Sequence, residues 1–212
     1  MDFKVIDKID LSRPTVIFAR HAERYDIESL NNHHEVLLTE KGISDSYDFG
    51  KHISGRSDDM RIYHSTVARC RQTAESIING ITDNGGKSEY KGEFLWLLGD
   101  YMFDKVFIDK FINTYNVNTF LRTWFDGKFP HDIVSPIDRI SNDFLICIKS
   151  QLENFEGLTI DISHDWNISI MLEYYMGLKH ESIGIPVFLD HIVFQKEEKN
   201  IKMIYHEYET DL

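Results

Sequence analysis

Three stretches of the chain bring arginine, histidine and aspartate together where an apolar run ends. Arg20, His21 and Arg24 lie in FARHAERYD behind PTVIFA. His64 and Arg69 follow the run that begins at Arg61, and His164 with Asp165 follows LTIDIS. Planar guanidinium forks match the oxygens of a phosphoryl group, and each charge-assisted hydrogen bond to one contributes about 1.5–3 kcal/mol. If the three strand ends are neighbours, Arg20, Arg24, Arg69 and His164 form a well for a phosphate dianion. Helix N-termini expected after Ser65 and His164 would aim further N–H donors at the same point. The sequence contains no GxxxxGK[ST] loop, so nothing in it suggests a cradle for a nucleoside triphosphate.

The elements that must position these residues are visible in the apolar pattern. PTVIFA (14–19) reads as a strand buried on both faces, as does the run from Leu158 to Ser163, and Arg61 to His64 is a shorter one. After the second strand, Val67, Cys70, Thr73, Ala74, Ile77 and Ile78 recur at helical spacing, and Gly80 with the DNGG at 83–86 is expected to stop that helix. Residues 105–157 read as mostly helical, in KVFIDKFINTY, NTFLRTWFDG and a long helix with Ser135 as N-cap, Pro136 at its first position and Asp138 in its first turn. A helix after His164 ends near Gly177. PVFLDHIVFQK and NIKMIYHEYE read as an antiparallel hairpin at the sheet edge. Strands alternating with helices predict one α/β domain over 1–212, a three-layer α/β/α sandwich on a mostly parallel mixed sheet, with a helical insertion at about 105–157. Such sheets bind ligands beyond the carboxyl ends of their strands, where the charged residues fall.

Composition narrows the partners. With 212 residues, a formal net charge of −12 and a pI near 5.2, the chain lacks the basic face that nucleic-acid binding by counterion release requires. No apolar stretch approaches the roughly 18 residues of a spanning helix, and the first residues lack a signal-peptide apolar region, so the reading is a cytoplasmic protein with no membrane partner. Cys70 and Cys147, the two cysteines present, are read as reduced. Of the remaining clusters, His33, His34 and Glu35 read as a surface loop rather than a metal site. The aromatic group Trp96, Tyr101, Phe103, Phe107, Phe111, Tyr115, Trp124 and Phe125 reads mainly as helical core.

The same residues resemble the histidine phosphatase superfamily, also called the phosphoglycerate mutase-like superfamily. FARHAER is similar to its R-H-G signature, LLTEKGISDSYDFGKHI to its L-T-x-x-G helix start, STVARCRQTAESI to S-P-x-x-R-A-x-Q-T-A, and ISHDWNISIML to its second-histidine segment. The resemblance implies a phosphoglycerate mutase-like fold and a phosphomonoester hydrolase that uses neither metal nor cofactor. In it His21 would be the nucleophile that becomes phosphohistidine, with Arg20, Arg69 and His164 clamping the transferred group. Arg24 and the His164–Asp165 pair are similar to the acid-phosphatase branch, in which the second arginine also contacts phosphate and the aspartate donates the proton. The QTA segment and the chain length are similar to the mutase branch.

The chain departs from the family pattern at Ala22, where the signature has glycine and where a Cβ could crowd the phosphate, and at Asp26, where the acid-phosphatase branch has proline. The proton donor is open between Asp165, which is preferred, and Glu93, with Asp100 and Asp104 also in range; Glu93 can equally be an ordinary strand-end carboxylate. The implied substrate is a small phosphorylated molecule or a phosphoprotein. The competing readings are a mutase or bisphosphatase, which would need a second phosphate site, and a catalytically weak module that binds phospho-ligands.

Overall fold

A computed structural model describes residues 4–27 and 33–212. Its centre is a seven-stranded sheet in the order β3-β2-β4-β1-β5-β6-β7. The strands are β1 (Thr15–Arg20), β2 (Met60–His64), β3 (Glu89–Glu93), β4 (Leu158–Ser163), β5 (His191–Lys196), β6 (Ile201–Tyr205) and β7 (Tyr208–Asp211). The half β3-β2-β4-β1 is parallel and β5 to β7 are antiparallel, so the sheet is divided more evenly than a mostly parallel reading implies. The tail also departs from a two-strand hairpin. β5 pairs with β1 itself, and NIKMIYHEYE breaks into β6 and β7 at His206, whose φ is 53°.

Helices cover both faces. On one lie α1 (Lys4–Lys8), α2 (Glu40–Ile53) and α3 (Ala68–Asp83). Ile17 and Ala19 of β1 and Leu158, Ile160 and Ile162 of β4 pack there against Phe49, Ala74 and Ile77. On the other lie α4 (Lys105–Tyr115), α5 (Val117–Phe125), α6 (Ile137–Asn154) and α7 (Asp165–Met176), where Val16 and Phe18 meet Phe144, Ile148 and Ile168; the short α8 (His180–Ile183) follows. Alternate residues of β1 thus feed two cores, which is why its sequence is a continuous apolar run.

Two expected boundaries move. Gly80 does not stop α3, which continues to Asp83. A Cβ at Gly80 would sit 2.1 Å from Tyr47 O, and one at Gly50 would sit 2.0 Å from Ile77 O, so these glycines let α2 and α3 touch backbone to backbone. Ser135 does not cap α6; Pro136 holds that place in extended conformation, while the Ser135 carbonyl accepts from Trp124 Nε1 at 2.8 Å and its N–H bonds Tyr101 O at 2.9 Å. Gly177, with φ 65°, ends α7 as expected.

Candidate active site

β2, β4 and β1 are adjacent, so the three charged strand ends meet. His21 follows β1, its N–H bonded to Ser163 O at 3.0 Å, and it is 3% exposed. His21 Nδ1 lies 2.8 Å from the carbonyl of Ala22, which can only accept, so the ring proton is on Nδ1 and Nε2 carries the lone pair. Arg69 Nε donates to that Nε2 at 3.0 Å, Arg69 Nη1 donates to His33 O at 2.6 Å, and Arg69 Nη2 lies 3.4 Å from His164 Nδ1. His164 stands edge-on to His21, ring centres 5.7 Å apart, and its Nε2 lies 2.9 Å from Ser65 Oγ.

Arg20 completes the clamp. Its Nη1 donates to Pro186 O at 2.6 Å, its Nη2 pairs with Asp165 at 2.8 Å, and its guanidinium lies 4.3 Å from the centre of the Phe188 ring. Arg20 Nε is buried and meets no acceptor among the described residues, a donor held ready for a guest. Arg24 bonds Tyr25 O through Nη1 at 2.8 Å, and its charge acts on both Arg20 and Arg69.

Burial, reinforced by Arg69 and by the facing histidine, holds His21 well below the ordinary imidazole pKa. The same burial, with Arg69 and Arg20, pushes His164 down to about 3. Desolvation lowers Arg20 and Arg69 as well, so two cations short of water face a site where both imidazoles are neutral. Buried Cys70, beside Ser65, is pushed up to about 12 and stays a thiol.

The remaining expected residues fall differently. Ala22 does not crowd the site: it is fully buried, its side chain joins Leu38 and Leu189, and its φ is not left-handed. His64 turns away from the arginines, bonding Ser65 O at 2.7 Å and Tyr90 OH at 2.7 Å. Glu93 is exposed at the end of β3, in register with His64, and among the described residues no hydrogen bond or ion pair ties it to the clamp.

Several supports escaped the sequence reading. The turn bearing His33 and His34 docks on α3, with Ala68 N–H bonding His34 O at 3.0 Å and Leu38 N–H bonding Gln72 Oε1 at 2.8 Å. Beneath His164, Ser163 Oγ donates to Leu97 O at 2.8 Å and Asn167 Nδ2 donates to the same carbonyl at 3.1 Å. Among the described residues, the cluster with metal-type ligands is Glu173, His180 and Glu181, and there Arg122 already holds Glu173 and Glu181 at 2.6 Å.

Residues 16–84 match the family model described as histidine phosphatase superfamily (branch 1). That match covers about a third of the chain, and over it the sequence is similar to histidine phosphatases. The fold of the whole agrees with it. YhfR of Bacillus stearothermophilus is 18% identical with a TM-score of 0.61, over 91% of this chain and 96% of that one. A phosphoserine phosphatase of Entamoeba histolytica, solved with 3-phosphoglyceric acid, is 16% identical with a TM-score of 0.58, over 85% and 89%. A phosphoglycerate mutase of Bacillus anthracis is 13% identical with a TM-score of 0.54, over 93% and 91%. No curated protein matches the chain in sequence. The matched segment contains His21, Arg20, Arg24 and Arg69, while His164 and Asp165 come from outside it. No helix among the described residues is long and apolar enough to cross a membrane.

Proposed function

We propose that the chain is a metal-independent phosphomonoester hydrolase acting through a phosphohistidine on His21. The observation that carries this reading is the proton arrangement of that ring: Nδ1–H is committed to the Ala22 carbonyl, so the Nε2 lone pair faces Arg69 and His164. In the first step an Nε2–P bond forms as the ester P–O bond breaks, with Asp165 giving its proton to the leaving oxygen. In the second, water displaces the imidazole from phosphorus and returns the proton to Asp165. Arg20, Arg24, Arg69 and His164 bind the equatorial oxygens, where charge spreads in the transition state. Asp165 is favoured over Glu93 because its carboxyl lies at the cluster, 2.8 Å from Arg20, where a bound phosphate dianion competes for that arginine and promotes protonation of the acid, whereas Glu93 is exposed at the end of β3. A small phosphorylated substrate in the cytoplasm completes the proposal.

Turnover of an aryl phosphate in the presence of a chelator tests it. Activity should persist with chelator and fall to background in His21→Ala; turnover that survives this change would overturn the reading. Asp165→Asn should slow alkyl esters by about 10²–10⁴-fold and aryl esters much less, whereas Glu93→Gln should treat the two alike.

A further inference from the structure

The contacts of His164 select a tautomer that does not suit a phosphoryl guest. A guanidinium can only donate, so Arg69 Nη2, at 3.4 Å, makes His164 Nδ1 an acceptor and leaves the ring proton on Nε2, given to Ser65 Oγ at 2.9 Å. A lone pair on Nδ1 repels a phosphoryl oxygen. His164 can bind one either by gaining a second proton or by carrying its single proton on Nδ1 instead.

The surroundings oppose a second proton. Arg20 from β1 and Arg69 from α3 face His164 as cations, and the imidazoles of His21, His33 and His34 bring no negative charge to offset them. The carboxylate of Asp165 is drawn to Arg20, and Cys70, 3.9 Å from Nε2, remains a neutral thiol. Ser65 allows the other route. It is completely buried, its backbone is fixed by an N–H bond to Ile162 O at 2.9 Å, and its hydroxyl can accept from Nε2–H or donate to a bare Nε2.

We propose that Ser65 is a positioning residue that switches His164 between tautomers. It accepts from Nε2–H in the free protein and donates to Nε2 once a phosphoryl group is bound, so that a neutral ring turns an Nδ1–H onto that group. The ring's proton count does not change: Nε2 releases one proton to solvent and Nδ1 takes one up. The inference rests on the phosphoryl site proposed above.

Nitrogen-15 NMR of His164, with and without inorganic phosphate, tests it alongside calorimetric binding of phosphate. Free protein should show Nε2–H, and phosphate-saturated protein a neutral ring with Nδ1–H. In Ser65→Ala a bound ring with Nδ1–H has no donor for its bare Nε2, and phosphate affinity should fall by roughly 2- to 10-fold. Ser65→Thr, which keeps the hydroxyl, should restore the unaltered behaviour. A bound ring in the unaltered protein that keeps Nε2–H, or that is doubly protonated, overturns the switch alone. Failure of phosphate to bind the unaltered protein overturns the switch together with the phosphoryl site.

Discussion

His21 and His164 are held neutral for one reason, burial beside arginine, and that sets how the molecule responds to acid. With its pKa depressed in the folded protein, His21 keeps its lone pair below the ordinary imidazole value of about 6.5. For a substrate that stays dianionic, kcat/KM should show no acid limb centred there. Stability takes the opposite cost: the unfolded chain binds protons at these histidines below about pH 6.5 and the folded one does not, so the melting temperature should fall as pH drops through that range. Removing the side chain of Arg69 removes donors to both rings, and Arg69→Ala should lower kcat by about 10²–10³-fold. Ala22 gives a reverse test. Its methyl packs with Leu38 and Leu189, so Ala22→Gly should lose about 1 kcal/mol in denaturant unfolding and gain no activity.

Among the elements, β4 holds an unusual carboxyl. Asp161 is wholly buried between Phe18 and Tyr63 in register, and burial pushes it up to about 8. Gln151 Nε2 donates to its Oδ1 at 3.1 Å, while Asp161 Oδ2 and Gln151 Oε1 meet no partner among the described residues. A proton on Oδ2 supplies the missing donor. Because the folded pKa is raised, this stability is present at acid pH and is lost as pH rises from about 4 through about 8, by up to about 1.4 kcal/mol per unit. Asp161→Asn, which mimics the protonated acid, should flatten that alkaline decline in chemical denaturation. Where α2 and α3 touch, Gly80→Ala would drive a methyl into Tyr47 O and should cost more than about 2 kcal/mol in the same assay. β1, β4 and α7 were legible because apolar runs and a terminal glycine bound them. β3 was not: its residues, EYKGE, are mostly exposed, and pairing with β2 rather than any apolar pattern makes them a strand. The part Gly80 plays was hidden for a related reason, since a helix-stopping glycine and a helix-crossing glycine look alike until the partner helix is placed.

For the whole molecule, convergence of the clamp was legible because an α/β sheet collects its strand ends, but the order of the strands was not. Ser65 looked like a helix start, and its hydrogen bond to His164 exists only because β2 lies beside β4. The carbonyl grip on Arg69 by His33, and on Arg20 by Pro186, belongs to backbone atoms that side-chain chemistry cannot announce. A chain ending before Gly184 loses β5 beside β1 as well as the Pro186 carbonyl, and should lose cooperative unfolding and phosphate binding together. The strand order also bears on biosynthesis. β1 is made long before its neighbours, since Thr15 pairs with Leu158 on one side and Gln195 on the other. On the ribosome this apolar segment must wait for both partners with its hydrogen-bonding edges bare, the condition in which strands find wrong partners. Newly made protein should lean on chaperones until its last strands emerge.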